Sequence, residues 1–262
     1  MYPSDANRTG MLVPAPSGVT WNIVLAMQSD NNTAAERARI RSEYRRRAAA
    51  LPPDLYADWQ PWVRLMVAER TRVAARLLAS AGTFPHAGDA CLEVGCGTRG
   101  WLSTLRQWGV AEPDLHGIDL DELRLAEARA AFPTADLRFG DATELPWANG
   151  TFPLVVASTV FTSVLDHAVR RKLAHGIVRV LAPKGALLWY DFAHDNPRNP
   201  NVRKVDRREL RDLFPGLKGE VARVTLAPPL ARAVAPRSLA LARLLSRLPF
   251  LRTHLLAVLV KR

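Results

Sequence analysis

The residues with the clearest chemical potential are the glycines and acids of residues 91–100, whose sequence is CLEVGCGTRG. Gly95, Gly97 and Gly100 let the backbone approach a ligand more closely than a residue with a Cβ allows. The residues after Gly100 have the apolar spacing of a helix, and the first N–H groups of a helix favour a carboxylate or a phosphate. A strand, a glycine-rich loop and a helix in this order predict a cradle for a nucleotide-containing cofactor.

Acids at the ends of three predicted strands narrow the kind of cofactor. The glycine spacing, with Asp119 lying 19 residues after Gly100, by itself also fits an NAD-binding fold. Glu93, two residues before the first glycine, would repel a pyrophosphate and attract a cationic amino acid group. Asp141, followed by the N–H of Ala142, offers an acceptor beside a donor, which suits the amino edge and a ring nitrogen of an adenine. The acids therefore favour an adenosine cofactor with a cationic end over NAD.

Strands and helices alternate from residue 90 onward, which predicts a parallel sheet with helices on both faces. Five motifs in this region resemble those of the class I S-adenosylmethionine-dependent methyltransferases, in particular the small-molecule group that includes the quinone methyltransferases. The resemblance covers about residues 60–262. It implies an α/β fold: a Rossmann-like, seven-stranded, mostly parallel sheet with a C-terminal antiparallel strand, preceded here by an N-terminal helical extension. The motifs occupy residues 92–97, 117–119, 140–147, 152–156 and 180–186.

The resemblance implies that S-adenosyl-L-methionine is the cofactor and gives roles to matching residues. Glu93 is expected to hold the methionine amino group, directly or through water. Gly95 and Gly97 are expected to line the methionine and the ribose. Asp119 would accept both ribose hydroxyls, and Leu120 would lie along the adenine.

The third and fourth predicted strands supply the remaining cofactor residues that the resemblance implies. Asp141 would accept from the adenine amino group, and the N–H of Ala142 would donate to the ring. Ser158 and Thr159 would approach the methionyl end and the reacting methyl group.

The acceptor region is predicted in residues 189–202, because open α/β sheets bind ligands at the carboxyl ends of their strands. Methyl transfer to a hydroxyl requires alignment and removal of a proton. His194 or Asp191 is a candidate for the base, and His167 is a weaker candidate from the helix after the fourth strand. For each of them, a role in hydrogen bonding the loop to itself is an equal alternative.

The sequence predicts no catalytic metal. Ser158 occupies the position where the metal-dependent catechol type has an aspartate, although Asp191, Asp195 and Asn196 remain possible ligands. The resemblance implies O- or C-directed methylation of a small molecule such as a metabolite, a sugar or a polyketide-like compound. A lipid or quinone acceptor at a membrane surface and an RNA acceptor are the alternatives, and an NAD-dependent oxidoreductase is a more remote one.

The net charge of +11 is concentrated in the flanks of the chain, since residues 203–262 hold 14 Lys and Arg but 4 Asp and Glu. A basic flank indicates nucleic acid, an anionic membrane or simply a solvated surface. No basic motif interleaved with aromatic residues accompanies the charge, so a nucleic-acid partner is not favoured. A basic amphipathic helix is predicted over residues 236–248. It is a candidate for membrane contact, although capping of the substrate pocket is the favoured interpretation.

The remaining sequence signals concern organisation. Thr33 and Glu36 have capping-box spacing and predict a helix that begins at Thr33. We expect a flexible extension over residues 1–33, a helical substrate lid over residues 34–82 and the methyltransferase domain over residues 83–262. Cys91 and Cys96 are expected to be reduced thiols, which indicates a cytoplasmic protein. The sequence predicts no particular oligomeric state.

Overall fold

The computed structural model describes residues 18–52, 54–98, 100–197 and 199–262, and it describes side chains from residue 31 onward. The first half of the predicted flexible extension, residues 1–17, therefore lies outside the described residues.

A single seven-stranded sheet has the order β3-β2-β1-β4-β5-β7-β6. Strands β1 to β5 pair in parallel, and β7 is antiparallel to both of its neighbours. The predicted fold class is confirmed. The strand order reverses between β1 and β4, and this switch point opens a crevice at their carboxyl ends where open sheets bind ligands. The strands are β1 (Cys91–Val94), β2 (Leu115–Asp119), β3 (Asp136–Phe139), β4 (Phe152–Ser158), β5 (Leu181–Phe192), β6 (Leu217–Leu226) and β7 (Arg252–Lys261).

Helices cover both faces of the sheet and share a simple start signal. Asp121, Asp166 and Asp206 each accept two backbone N–H groups in the first turn of a helix, which satisfies donors that the helix leaves unpaired. The helices are α1 (Gly18–Ala50), α2 (Pro61–Ser80), α3 (Leu102–Gln107), α4 (Glu122–Ala131), α5 (His167–Val180), α6 (Arg207–Leu213), α7 (Pro228–Val234) and α8 (Leu239–Leu245).

Helix α1 begins at Gly18, so the prediction that it begins at Thr33 is wrong. Thr33 lies buried inside the helix, and the Glu36 carboxylate pairs with Arg39 and accepts the N–H of Leu165 instead of capping. The physical reason is that no proline follows Pro16 in this segment, so the backbone hydrogen bonds continue through the expected boundary. The predicted boundary of the lid at residue 34 falls inside this helix.

The predicted helix over residues 236–248 is present but shorter, because α8 spans Leu239–Leu245. Pro236 follows α7, Ser238 caps α8 by accepting the N–H of Leu241, and a 3-10 turn begins at Pro249. Prolines cannot donate the backbone hydrogen bonds that a continuous helix would need. Ala242 is buried, whereas Leu239, Leu241, Leu244 and Leu248 are exposed, so the apolar face does not cap a pocket as the sequence suggested.

Candidate functional site

The glycine loop after β1 is held tightly against the neighbouring strands. The N–H groups of Gly95 and Cys96 both donate to the carbonyl of Ile118 in β2, at 2.8 and 3.2 Å. Gly95 and Gly97 have φ values of +71° and +48°, a region in which side chains are strained. A Cβ on Gly95 would lie 2.9 Å from a methyl of Val160, just after β4. The loop thus lies at the switch point of the sheet.

Glu93 is buried beneath this loop and binds the start of α3. Its Oε2 accepts the N–H groups of Trp101 at 2.6 Å and Leu102 at 3.0 Å. Burial raises the pKa of Glu93 to about 8, although the two backbone N–H groups act in the opposite direction. An added cation beside Glu93 would therefore shift a neutral acid toward its charged form.

Asp119, the last residue of β2, connects the glycine loop to the start of α4. Its Oδ2 accepts the N–H of Gly97 at 2.8 Å, and its Oδ1 accepts the N–H of Asp121 at 2.9 Å. Each carboxylate oxygen retains further acceptor capacity. Leu120 lies half-buried beside it, and its carbonyl accepts the guanidinium of Arg41 at 3.1 Å.

Asp141 lies just after β3, where a 3-10 turn begins with Ala142. Its Oδ1 accepts the N–H of Thr143 at 2.8 Å. Its Oδ2 is buried and accepts no hydrogen bond from any residue that the structure describes, and the Arg37 Nε lies 3.5 Å from it. A buried acceptor without a donor is costly, which is typical of a site that receives a donor from a ligand.

Basic side chains of α1 and α4 lie against these acids, and the sequence analysis did not identify them as site residues. Arg41 lies with its guanidinium 5.0 Å from the ring centre of Phe139, at the end of β3. The Arg124 guanidinium lies 5.1 Å from the ring centre of Tyr44, and a Cβ on Gly97 would be 2.2 Å from Arg124 Nη2. The arginine density of α1 was visible in the sequence, but its packing on this crevice was not.

The end of β4 turns sharply at the two residues predicted to approach the methyl group. Ser158 pairs with Tyr190 of β5, and Thr159 donates its N–H to the Tyr190 carbonyl at 2.7 Å. Thr159 has φ of 56°, which is strained for a β-branched residue. Both side chains are half-buried, and the hydroxyl of Thr159 donates to the Ser158 carbonyl.

The three candidate bases have different surroundings. Asp191 is fully buried, and it accepts the hydroxyl and the N–H of Thr162 and the N–H of Phe192. Burial raises the pKa of Asp191 to about 6. His194 is exposed, with its Nε2 3.1 Å from a guanidinium nitrogen of Arg223, and His167 is exposed at the start of α5. Among the described residues, no hydrogen bond joins any two of the three.

A cationic side chain that the sequence analysis missed lies close to Glu93. The guanidinium of Arg70, from α2, is 5.0 Å from the ring centre of Trp101 and 5.7 Å from that of Tyr190. Its charge acts on Glu93, lowering a pKa that burial raises. The Arg70 Nε is buried and has no hydrogen-bond partner among the described residues.

A cleft separates α1 from the end of the predicted acceptor loop. Asn201 donates to the Glu43 carboxylate at 2.9 Å across this cleft, and Arg39 donates to the Ser163 carbonyl. The lining combines charged, amide and apolar groups. It consists of Arg39, Ile40, Glu43, Tyr44, Arg47, Ser163, Asn201 and Val202.

The described residues contain neither a cluster of metal ligands nor a helix that could span a membrane. No group of three or more His, Cys, Asp or Glu side chains is arranged to hold a metal ion. None of the described helices combines the length and the apolar character that crossing a membrane requires.

Residues 91–185 match the family model described as "Methyltransferase domain". A protein of Mycolicibacterium smegmatis named "probable S-adenosylmethionine-dependent methyltransferase" is 33% identical over 136 residues, which are 49% of this chain and 51% of that protein. Norajmaline N-methyltransferase of Rauvolfia serpentina is 25% identical over 61% of this chain and 58% of that protein. The chain thus spans about half the length of the curated relatives it matches.

Solved structures extend the likeness in fold beyond the matched segment. A geranyl diphosphate C-methyltransferase of Streptomyces coelicolor superposes with a TM-score of 0.57 over 82% of this chain and 86% of that one, at 15% identity. At that identity the likeness shows the fold alone. The sequence matches, however, cover the glycine loop and the strand ends that carry Glu93, Asp119 and Asp141. Residues 91–185 therefore match a methyltransferase domain, and about half of the chain is similar to a probable S-adenosylmethionine-dependent methyltransferase.

Proposed function

We propose that this protein transfers a methyl group from S-adenosylmethionine to a small-molecule acceptor. The observation that carries the proposal is the arrangement of Glu93, Asp119 and Asp141 at the ends of three neighbouring strands around one glycine loop. Two hydrogen bonds join the loop to the end of β2, because Gly95 donates to the Ile118 carbonyl and Gly97 donates to Asp119.

The residues present fit such a cofactor, which supplies an electrophilic methyl group on a sulfonium sulfur. Glu93 offers a buried acid whose ionisation a cationic amino group would favour. Asp119 retains acceptor capacity for hydroxyl groups, and Asp141 holds a buried oxygen that accepts no hydrogen bond from the part of the chain that the structure describes. The Gly95 and Gly97 backbone allows close approach.

Arg70 is proposed to hold the acidic end of the same ligand. A buried guanidinium nitrogen that has no partner among the described residues, beside a buried glutamate, matches an amino acid group that carries both charges. Flanking aromatic rings of Trp101 and Tyr190 limit the orientations of this guanidinium.

The cleft between α1 and residues 199–202 has a volume of about 10 Å³, which is room for one water molecule. It is proposed to hold the acceptor only after α1 and this segment move apart. Its lining offers ionic groups in Arg39 and Glu43, an amide in Asn201 and apolar surface in Ile40 and Val202. This combination suits a small molecule with both polar and apolar parts, such as a metabolite, a sugar or a polyketide-like compound, methylated on oxygen or carbon. The role of the cleft residues is alignment, which contributes most to a displacement reaction.

The identity of the base stays a prediction. Asp191 is engaged by three donors, which favours a role in fixing the turn after β4 against β5. His194 is exposed on the predicted acceptor loop, and its Nε2 lies 3.1 Å from a guanidinium nitrogen of Arg223. Replacement of His194 by glutamine is expected to lower kcat for a hydroxyl acceptor more than for a carbon acceptor that needs no base.

Calorimetry with S-adenosylhomocysteine tests the proposal at the cofactor site. Wild type should bind this product analogue and should not bind NAD. Asp119→Asn should weaken binding by about tenfold or more, because a neutral amide forms weaker bonds to ribose hydroxyls than a carboxylate does. The matched control is Glu127→Gln, an exposed acid of α4, which should bind as wild type does. Absence of binding by wild type would contradict the proposal. If wild type binds, a labelled-methyl screen of metabolites would identify the acceptor.

A further inference from the structure

Five large apolar side chains lie exposed on α8 and in the turn after it: Leu239, Leu241, Leu244, Leu248 and Phe250. We name them the α8 patch. Phe250 is 74% exposed and Leu244 is 59% exposed. Single exposed leucines are ordinary, but five within twelve consecutive residues form a continuous apolar segment. Such a concentration indicates contact with something other than water.

The α8 patch lies at the edge of the sheet that holds the proposed site. It belongs to the connection between Leu226, which ends β6, and Arg252, which begins β7. His254 of β7 pairs with Phe192 at the carboxyl end of β5, because these two strands are antiparallel. The carboxyl ends of β4 and β5 are adjacent in the same sheet. The patch and the predicted acceptor loop therefore share one end of the molecule.

The charged residues of the segment that contains the α8 patch are all basic. Residues 221–262 contain no Asp or Glu. Arg237, Arg243 and Arg247 are exposed and alternate with the leucines of the α8 patch. A surface that combines exposed leucines with arginines is complementary to anionic headgroups above an apolar layer. The basic residues of this segment are Arg223, Arg232, Arg237, Arg243, Arg247, Arg252, Lys261 and Arg262.

Two exposed aromatic residues lie on the segment that packs beside this region. Tyr56 and Trp59 precede α2, and the ring of Tyr56 contacts that of Trp62 at 5.4 Å. Trp62 shares a buried cluster with Ala242 of α8, and the Arg232 guanidinium lies 5.8 Å from its ring centre. Amphipathic aromatic side chains are enriched where protein meets the boundary between lipid and water.

We propose that the α8 patch docks this protein onto the surface of an anionic lipid bilayer. Its leucines and Phe250 enter the boundary between headgroups and acyl chains, while the arginines bind lipid phosphates. A symmetric contact with a second copy is disfavoured, because a two-fold axis would bring identical arginine-rich surfaces together. Docking in this orientation turns the carboxyl edge of the sheet toward the bilayer. As a consequence that rests on the proposed function, the acceptor is an amphiphilic compound held in the membrane.

Vesicle sedimentation with the full chain tests the docking. The vesicles are phosphatidylcholine alone or phosphatidylcholine mixed with phosphatidylglycerol, at about 0.1 M salt. Wild type should sediment with the anionic vesicles only. Arg243→Gln with Arg247→Gln should weaken that binding about tenfold or more, and Leu244→Ser with Phe250→Ser should weaken it similarly. The matched controls should bind as wild type does: Leu123→Ser, an exposed leucine of α4, and Arg208→Gln with Arg211→Gln, exposed arginines of α6.

Binding of S-adenosylhomocysteine, measured on every variant, separates this proposal from the proposed function. If the patch variants lose vesicle binding but still bind S-adenosylhomocysteine, the docking proposal is supported. Four results would overturn the docking proposal. Two concern vesicles: wild type does not bind anionic vesicles, or the control variants lose as much vesicle binding as the patch variants do. Two concern other partners: wild type forms a dimer that only the patch substitutions dissociate, or wild type binds RNA but not vesicles and only the patch variants lose the RNA binding. A failure to bind S-adenosylhomocysteine alongside normal vesicle binding would overturn the methyl-transfer proposal and leave docking standing.

Discussion

The Nε of Arg37 lies 3.5 Å from the Oδ2 of Asp141, so a cation of α1 pairs with the acid that follows β3. The same oxygen is the one that accepts no hydrogen bond among the described residues. Helix α1 therefore supplies the nearest positive charge to the position where the proposed adenine amino group would donate. Arg37 and the ligand compete for one carboxylate oxygen.

Replacement of Arg37 by alanine is expected to tighten binding of S-adenosylhomocysteine by about two- to fivefold. The gain is small because the arginine side chain is nearly half exposed, and exposed ion pairs contribute at most about 1 kcal/mol. Calorimetry measures the change, with Arg45→Ala on the exposed face of the same helix as the control. Weaker binding by Arg37→Ala would instead indicate that Arg37 contacts the ligand.

Ligand binding at Glu93 is expected to release a proton near neutral pH. Burial raises the pKa of Glu93 to about 8, so the acid is largely protonated at pH 7. A cationic amino group would favour the carboxylate and lower this pKa, and the proton would leave to the buffer. Calorimetry in two buffers of different ionisation enthalpy counts the protons.

Glu93→Gln supplies the comparison for that experiment, since an amide cannot lose a proton in this range. We expect proton release close to one per ligand for wild type and close to zero for the variant. Equal release by both proteins would show that another group titrates and that Glu93 does not contact the cation.

Replacement of Gly100 by alanine is expected to destabilise the fold by about 1–3 kcal/mol. A Cβ at this position would lie 2.3 Å from both Glu93 carboxylate oxygens and 2.5 Å from the Cys96 carbonyl. Gly216→Ala is the matched control, because nothing lies within 4 Å of its Cβ position. Urea unfolding of both variants measures the difference. Equal stability of the two would mean that the loop yields at little cost.

The positions of the strand-end acids were predictable because each acid can be assigned to the end of a strand from its neighbours in the sequence. Glu93, Asp119 and Asp141 each follow an apolar run, and parallel strands present their carboxyl ends at one edge. Their separation along the chain is therefore no obstacle to predicting that they converge. The antiparallel pairing of β7 was predictable from the family resemblance, which implies a C-terminal antiparallel strand.

Residues that reach the site from other elements were not predictable. Arg37, Arg70 and Arg124 lie on helices whose arginines have no distinctive spacing, and their position depends on how each helix packs. The apolar periodicity of α8 had a related limit. The periodicity identified the leucines of one face of α8. A pattern within one helix does not indicate whether protein or a lipid bilayer covers that face.

The buried carboxyl of Asp191 is expected to make stability fall as the pH rises. Burial raises its pKa to about 6, above the ordinary value near 3.8. The folded protein therefore holds a proton that the unfolded chain releases between these two values. The contribution is fully present below about pH 4 and is lost as the pH passes about 6. Its size is about 2–3 kcal/mol.

Urea unfolding of wild type and Asp191→Asn at several pH values isolates this contribution. The stability of wild type minus that of the variant should decrease between about pH 4 and pH 6 and remain constant above. A constant difference across that range would show that Asp191 ionises with an ordinary pKa in the folded protein.

The Arg70 Nε is buried without a hydrogen-bond partner among the described residues, and the guanidinium lies 5.0 Å from the ring centre of Trp101 and 5.7 Å from that of Tyr190. Arg70→Met keeps an unbranched side chain as far as the Nε position and removes the charge. If Arg70 holds the ligand carboxylate, the variant should bind S-adenosylhomocysteine about 10- to 100-fold more weakly, which is the range for a hydrogen bond between charged groups. It should bind 5′-methylthioadenosine, which lacks the amino acid end, within about twofold of wild type. Equal weakening for both ligands would show that Arg70 acts through packing on Trp101, and equal retention of both would place the carboxylate elsewhere.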